Sequence, residues 1–296
     1  MQKKLVGCLA LLVLMMSTPA FATSFDSDYY CVAPYDLSKS FSSRFTKYSG
    51  VNFATARILG QLLKSQILKK ADGDFKVLID SYSVPDLKNG RFRGIKIYGE
   101  NVIAKDVYFS SVNMQTLCDF NYVVYDKSKS TIYFKEAFPM SFALTFSEDD
   151  LNNTMRAVGY ENLIAKLNSF GKKYSLFEVQ STTSQIVDNK FVYTFDVKVS
   201  ILGLNSNYKI SLKSDLMVDD GQVVMRNPEL ISDFGKVDLR KLTKAFDYLN
   251  PLEYSLKVFK NKNVNLKVRN VSIINNKINV SGIMNVPKDV LTQHKD

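Results

Sequence analysis

The sequence predicts an α+β fold in which a sheet of long antiparallel strands curls around apolar helices, of which there are three. Apolar and polar residues alternate over several long segments, a period that is typical of strands buried on one face. In three other segments the apolar residues recur with helical spacing, and turn signals separate the alternating segments. Long strands with one apolar face are best buried by curling the sheet around apolar helices.

The chain begins with the pattern of a secretory signal peptide. Lys3 and Lys4 form a short positive region, an apolar run extends from Leu5 to Met16, and Ala20-Phe21-Ala22 is a small-x-small cleavage site. The run is too short for a transmembrane anchor, which needs about 20 apolar residues. We therefore expect removal of residues 1–22 by cleavage near Ala22, and export of the remaining chain to the periplasm or cell envelope.

Residues 23–51 are rich in Ser, Asp and Tyr and show no sustained period, which indicates an N-terminal arm or linker. Cys31 in this arm and Cys118 are the two cysteines outside the signal peptide. An even number of cysteines in an exported chain permits a disulfide between them. The alternative is a pair of unlinked, buried thiols.

The first helix is predicted to begin at about Asn52 and to end at Asp72-Gly73. Its apolar residues share one broad face, which consists of Ile58, Leu59, Leu62, Leu63, Ile67 and Leu68. Lys64, Lys69 and Lys70 are too sparse for the dense basic face of a membrane-surface helix. Packing of this helix under a sheet is therefore the favoured interpretation.

Strand patterns occupy most of the remaining chain. The clearest is the alternation over 191–201, and similar patterns cover 95–98, 102–109, 120–125, 132–134, 138–146, 208–216, 264–268 and 278–280. Turns are predicted at 205–207, at Asp219-Asp220-Gly221 and at Asn275-Asn276. These segments are expected to form an antiparallel meander.

Two further helices interrupt the strands. The first begins at a capping box, Ser147 to Asp150, and extends towards Phe170 with a break at Gly159. The second runs from about Asp238 to Leu249 and is stopped by Asn250-Pro251. The pattern contains no clear boundary, so residues 52–287 are interpreted as one domain and 288–296 as a C-terminal tail.

Composition excludes several classes of enzyme. Loss of Lys3 and Lys4 with the signal peptide lowers the net charge from +10 to +8, a balance that suits anionic partners or simply a solvated basic face. The only histidine, His294, lies near the C-terminus, so His-dependent triads and zinc sites are not expected. The sequence has no glycine-rich phosphate loop. We expect no enzyme, cofactor or metal, and no nucleic acid partner; only a carboxylate-pair hydrolase is not excluded by these arguments.

Three blocks in order resemble the LmeA-like phospholipid-binding family, bacterial relatives of the tubular lipid-binding (TULIP) superfamily. They are GRFRGIKIYGENV at 90–102 after the opening helix, LTFSEDDLN at 144–152, and YLNPL at 248–252 followed by the hairpin of 264–282. The chain departs from the family pattern with Asn275-Asn276-Lys277, where Asp-Gly is common. The resemblance implies a TULIP-like fold: a long, strongly bent antiparallel sheet is wrapped around a long helix, with two further helices, and an apolar channel holds phospholipid tails.

Candidate site residues follow from this resemblance. The acyl chains of a phospholipid or other lipid would contact apolar side chains of the first helix and of two strands: Ile58, Leu59, Leu62, Leu63, Ile67, Phe142, Phe195 and Val197. The head group would lie near a basic turn and strand that carry Lys88, Arg91, Arg93 and Lys96. The alternative for these cations is a solvated edge strand guarded by charge.

The resulting expectation is an exported phospholipid-binding or lipid-shuttling protein of the bacterial cell envelope. Acyl burial is favourable by about 0.8 kcal/mol per methylene and needs no covalent chemistry. Peripheral contact with an anionic membrane surface is a further expectation. The alternative is a non-lipid envelope scaffold, or a module that binds glycans or proteins, with a solid core.

Overall fold

A computed structural model describes residues 29–39, 51–126, 131–173, 177–201, 204–231, 248–259 and 264–288. The chain divides into two units at Tyr30 and Cys31, and every element below belongs to the unit that begins at Cys31. The predicted signal peptide, the rest of the arm at 40–50, most of the predicted third helix at 232–247 and nearly all of the C-terminal tail lie outside the described residues.

The fold is α+β and its described strands pair antiparallel. The helices are α1 (Val51–Ile67), α2 (Val84–Lys88), α3 (Glu148–Arg156), α4 (Val158–Lys173) and α5 (Pro251–Leu256). The strands of the first half are β1 (Asp72–Asp80), β2 (Arg91–Phe92), β3 (Gly94–Ala104), β4 (Val107–Thr116), β5 (Asn121–Asp126), β6 (Thr131–Phe134) and β7 (Phe138–Phe146). Those of the second half are β8 (Phe177–Val187), β9 (Lys190–Ile201), β10 (Leu204–Asp219), β11 (Gln222–Ile231), β12 (Asn265–Ile274) and β13 (Lys277–Val286).

These strands form three sheets. The largest has the order β1-β3-β4-β7-β13-β12, the second has the order β11-β10-β9-β8, and a small third sheet has the order β2-β5-β6. The C-terminal hairpin β12–β13 pairs with β7, so the chain returns at its end to complete the largest sheet. This non-local pairing joins the second and third sequence blocks described above.

Within the described ranges, four two-residue hairpins share one backbone geometry. Both central residues have positive φ at Lys105-Asp106, Asp188-Asn189, Asp220-Gly221 and Asn275-Asn276. This is the type I′ geometry, whose twist matches that of the flanking strands. The predicted turns at 219–221 and 275–276 are confirmed, but the segment 102–109 is not one strand because Lys105-Asp106 divides it. The turn predicted at 205–207 is wrong, since these residues pair with β9 as part of β10.

The second helical region is divided at Ala157 rather than at Gly159. Ser147 caps α3 as a full capping box: its hydroxyl accepts from the Asp150 amide at 3.1 Å, and its own amide donates to the Asp150 carboxylate at 2.8 Å. Ala157 has an extended ψ of 149°, which ends α3 and lets α4 start in a new direction. Sequence reasoning placed the break at glycine because glycine is the commonest breaker.

The helix α1 lies beside β1, the edge strand of the largest sheet, and also contacts α2. The packing is close at Gly60, where an added Cβ would lie 2.8 Å from the carbonyl oxygen of Val77. Ala56 is buried on the same side of the helix. The structure therefore places α1 at the edge of the sheet. The expected arrangement, in which the sheet wraps around this helix, is not observed.

The core lies between the apolar faces of the two larger sheets and the helices α3 and α5. Its largest fully buried side chains include Phe109, Phe146, Phe191, Tyr160 and Tyr193. The hydroxyl groups of Tyr160 and Tyr193 both hydrogen bond to the backbone carbonyl of Leu249, which anchors the YLNPL segment to α4 and β9. That sequence block therefore has a structural role in the core.

Candidate functional site

A cavity of about 410 Å³ opens at one end of β1, β3 and β4, a volume within the usual range for ligand pockets. Its lining combines apolar side chains, two cations and two carboxylates: Leu78, Ile79, Ile95, Arg93, Lys96, Asp80 and Asp119, with Gly94, Gln115, Thr116 and Cys118 completing the wall. It contains two of the four cations that the sequence assigns to a head-group site.

The register of the sheet places apolar and charged groups side by side. Ile79 pairs with Ile95 and Leu78 pairs with Lys96, so each pair projects from one face of the sheet. Successive strand residues alternate between faces, and both faces therefore contribute to the cavity at the end of the sheet. Leu78 therefore lies beside Lys96 on one face, whereas Ile79 and Ile95 lie on the opposite face, where they pack against the core.

Arg93 is held at the cavity by its backbone and by an aromatic ring. Its amide donates to the Asp80 carbonyl at 2.8 Å, and its guanidinium carbon lies 5.0 Å from the centre of the Tyr82 ring. The Tyr82 hydroxyl donates to the Asp119 carbonyl. Burial raises the pKa of Tyr82, and the charge of Arg93 offsets part of that rise, so Tyr82 stays neutral beneath the exposed cation.

Asn121 joins the two sides of the cavity wall. Its fully buried side-chain amide donates to the carbonyl of Arg93 at 2.8 Å and to the carbonyl of Cys118 at 2.9 Å. Sequence reasoning missed this residue, because nothing local distinguishes a buried asparagine from a surface one. It fixes the backbone from which Arg93 projects.

A strap of residues 31–39 covers the neighbouring surface. Cys31 is disulfide-bonded to Cys118 in the cavity wall, and the Tyr35 ring lies 5.0 Å from that of Phe120. The Tyr35 hydroxyl donates to Glu136 at 2.7 Å. This part of the expected loose arm is therefore held firmly, because a covalent bond and aromatic packing fix it at separate points.

Arg91 is buried in an ion-pair network and does not line the cavity. Its guanidinium lies 2.5 Å from the Asp36 carboxylate and 3.4 Å from that of Asp86, and only 6% of the residue is exposed. The expectation that Arg91 meets a head group is corrected on this ground: its charge is already neutralised inside the protein. Lys88 is exposed at the end of α2 and is not among the residues of the cavity wall.

The apolar candidates fall into three groups. Ile58 and Leu62 are 63% and 58% exposed on α1, whereas Leu59, Leu63 and Ile67 are half-buried. Phe142, Phe195 and Val197 are buried in the core. The structure therefore does not bring the eight residues together around one described cavity, because α1 lies at the sheet edge.

Both carboxylates of the cavity lining, Asp80 and Asp119, are exposed and share the lining with two cations, whereas the acid of a glycosidase is usually buried. The described ranges contain no cluster of three or more His, Cys, Asp or Glu side chains suited to a metal ion.

A second cavity, of about 430 Å³, lies between the β10–β11 turn and the start of β12. No helix in the described part of the chain is long and apolar enough to cross a bilayer.

Comparisons of the chain with models of protein families, with curated proteins and with solved structures return no significant match. The resemblance to the LmeA-like family therefore rests on the three sequence blocks alone.

Proposed function

We propose that this chain is an exported phospholipid-binding or lipid-shuttling protein of the cell envelope. The observation that carries the proposal is the cavity whose lining includes two cations, Arg93 and Lys96, and the apolar side chains of Leu78, Ile79 and Ile95. A phospholipid needs this combination, because its phosphate is bound by cations and its acyl chain is removed from water by apolar side chains. The signal-peptide pattern and the LmeA-like blocks support the same conclusion.

The balance of charge in the cavity limits which phospholipid head groups would fit it. Arg93 and Lys96 are matched by Asp80 and Asp119, so the charged side chains of the lining sum to zero. A head group that carries both a phosphate and an amine complements such a lining better than a purely anionic one. The proposal includes the TULIP-like fold, because a bent sheet would extend the cavity into a channel for the acyl chain.

The protein isolated after export is expected to carry phospholipid that native mass spectrometry detects. The double variant Arg93→Gln/Lys96→Gln should lose most of that lipid, because both phosphate-binding cations are removed. The double variant Lys257→Gln/Lys277→Gln removes the same charge at exposed positions outside the cavity wall and should retain it. A wild-type protein that is free of lipid and does not bind fluorescent phospholipid would refute the proposal.

The second candidate is a glycan-binding or scaffold module, favoured by the outer face of the largest sheet. Tyr98, Asn113, Gln115, Ser141 and Thr145 lie on this face, and it carries amide and hydroxyl groups across several strands. Such groups with an exposed aromatic ring suit a neutral sugar. If the protein is a glycan-binding module, Tyr98→Ala should abolish glycan binding. If it is a phospholipid-binding protein, the same substitution should leave lipid retention unchanged.

A further inference from the structure

The outward side of α1 is an apolar ridge that no described element covers. Ile58 is 63% exposed, Leu62 is 58% exposed, and Leu68 just beyond the helix is 42% exposed. Ile58 and Leu62 are four residues apart and therefore lie one above the other on the same helical face. Isolated exposed apolar residues are ordinary, but two that are aligned on one helix, with a third just beyond its end, form a surface.

The charges of α1 and of the turn that follows it have a single sign, and the exposed carboxylates nearest in sequence, Asp72 and Asp74, belong to β1. Residues 51–71 include Arg57, Lys64, Lys69 and Lys70 and contain no Asp or Glu. At about 100° per residue, Arg57 and Lys64 fall on the same flank of the Ile58–Leu62 ridge. Lys69 and Lys70 are exposed at its C-terminal end. The helix therefore presents apolar side chains bordered by cations, a surface that the sequence-based interpretation of α1 as a helix packed under a sheet did not predict.

The ridge has a fixed orientation because the opposite side of α1 is anchored. Gly60 lies against the Val77 carbonyl and Ala56 is buried. The helix cannot rotate to bury Ile58 and Leu62 without breaking this close contact. The preorganised helix therefore loses little conformational entropy when a partner covers the ridge.

The charge pattern favours a lipid surface over a second copy of this chain. In a two-fold contact through α1, two helix surfaces would meet that each carry four cations and no acid. Like charges at such a contact oppose association. The surface of an anionic bilayer instead attracts cations and accepts apolar side chains below its head groups.

We propose that α1 docks the protein peripherally onto anionic phospholipid membranes, with Ile58, Leu62 and Leu68 inserted and with Arg57, Lys64, Lys69 and Lys70 at the level of the head groups. This docking is independent of the lipid carried in the cavity. It places the sheet edge, and with it the cavity end of β1, at the membrane surface. Each cation should strengthen binding about fivefold at low salt, and the attraction should weaken as salt is added.

Vesicle flotation of the exported protein tests this assignment. Vesicles of phosphatidylcholine mixed with phosphatidylglycerol should bind the protein, and vesicles of phosphatidylcholine alone should bind it at least tenfold more weakly. Ile58→Ser/Leu62→Ser and Lys69→Gln/Lys70→Gln should each reduce binding at least tenfold. All variants have the same N-terminus as the wild type, so a difference in vesicle binding comes from the substituted residues of α1 and of the turn after it.

Two matched variants serve as controls. Val158→Ser/Ile274→Ser removes equally exposed apolar side chains elsewhere, and Lys257→Gln/Lys277→Gln removes equal charge elsewhere; both should bind vesicles as the wild type does. Circular dichroism checks that each variant is folded. Unchanged flotation of folded α1 variants would overturn the proposal, as would loss of self-association in Ile58→Ser/Leu62→Ser without loss of flotation. Lipid retention measured by native mass spectrometry reports separately on the cavity.

Discussion

Arg91 and Asp86 form an ion pair inside the protein, next to the cavity that their neighbours line. Asp86 is 1% exposed, and its carboxylate also accepts from the Ser83 hydroxyl at 2.5 Å and from the Ser38 amide at 2.7 Å. A buried charge is tolerated only when it is paired and hydrogen-bonded. This network therefore holds α2, β2 and the strap together.

Removal of one partner should be costly. Asp86→Ala leaves the Arg91 charge buried with only Asp36 to balance it, and should lower the free energy of unfolding by about 3–5 kcal/mol. Asp219→Asn breaks an exposed pair with Arg226 and should cost less than about 1 kcal/mol. Urea denaturation monitored by circular dichroism measures both. Equal effects of the two substitutions would show that burial of Arg91 contributes nothing.

Tyr160 and Tyr193 are the principal buried titratable groups of the core. Their hydroxyl groups hydrogen bond to each other, and burial raises the pKa of both well above the ordinary value of about 10. Above that pH the unfolded chain releases protons that the folded chain retains. The folded state therefore binds more protons, and its stability must fall as pH rises.

The free energy of unfolding should be constant below pH 10 as far as these two groups are concerned, and should decrease above it. The slope should approach about 1.4 kcal/mol per pH unit for each buried tyrosine. In Tyr193→Phe the slope should drop by the share of one group, at an initial cost of about 1 kcal/mol for each hydrogen bond that the Tyr193 hydroxyl makes. Urea titrations at pH 8 to 11 provide the measurement, and a slope identical to that of the wild type would contradict this account.

At the scale of elements, the contact between α1 and β1 depends on one glycine. Gly60 lies in the middle of α1, where alanine would normally stabilise the helix by about 1 kcal/mol. An added Cβ would instead meet the Val77 carbonyl oxygen at 2.8 Å, which is backbone and cannot move aside. The close approach explains how a helix can lie along the edge strand.

Gly60→Ala should therefore destabilise the protein, by about 1–3 kcal/mol, as overpacking usually does. The neighbouring Gln61→Ala makes an exposed change in the same helix and should be neutral or slightly stabilising. Thermal unfolding of the two variants compares them directly. A rise in melting temperature for Gly60→Ala would mean that α1 does not press against β1.

At the scale of the whole molecule, the disulfide closes the long chain segment that contains α1 and the cavity strands. Cys31 and Cys118 are 87 residues apart in sequence, and Cys118 is buried in the cavity wall. A cross-link over a loop of this length removes much of the conformational freedom of the unfolded chain. It also fixes the strap beside Arg91.

Cys31→Ala/Cys118→Ala should lower the free energy of unfolding by about 4–5 kcal/mol in the chain-entropy treatment. Wild-type protein treated with a thiol reductant should show the same loss, whereas the double variant should not respond to reductant. A reductant effect on the variant would locate the sensitivity elsewhere. A loss below about 1 kcal/mol would show that the strap contacts alone hold the N-terminal residues.

Several elements were readable from sequence because their signals are local. The strand 191–201 alternates strictly, the capping box needs only four consecutive residues, and the turn at 275–276 is two asparagines between strands. The strand β8 was missed because its residues are mostly polar Ser, Thr and Gln. β1 was missed because Asp72-Gly73 was interpreted only as the end of a helix, although Phe75, Val77 and Ile79 alternate after it.

By itself the sequence determined the α+β class, the hairpin turns at 219–221 and 275–276 and the start of the first helix, since these depend on residues a few positions apart. Only the tertiary structure decided that Arg93 faces a cavity while Arg91, two residues earlier, is buried against Asp36 and Asp86. The same holds for Ile58 and Leu62, whose exposure follows from the packing of Gly60 on Val77. Burial is set by which distant segments meet, and no short pattern encodes that.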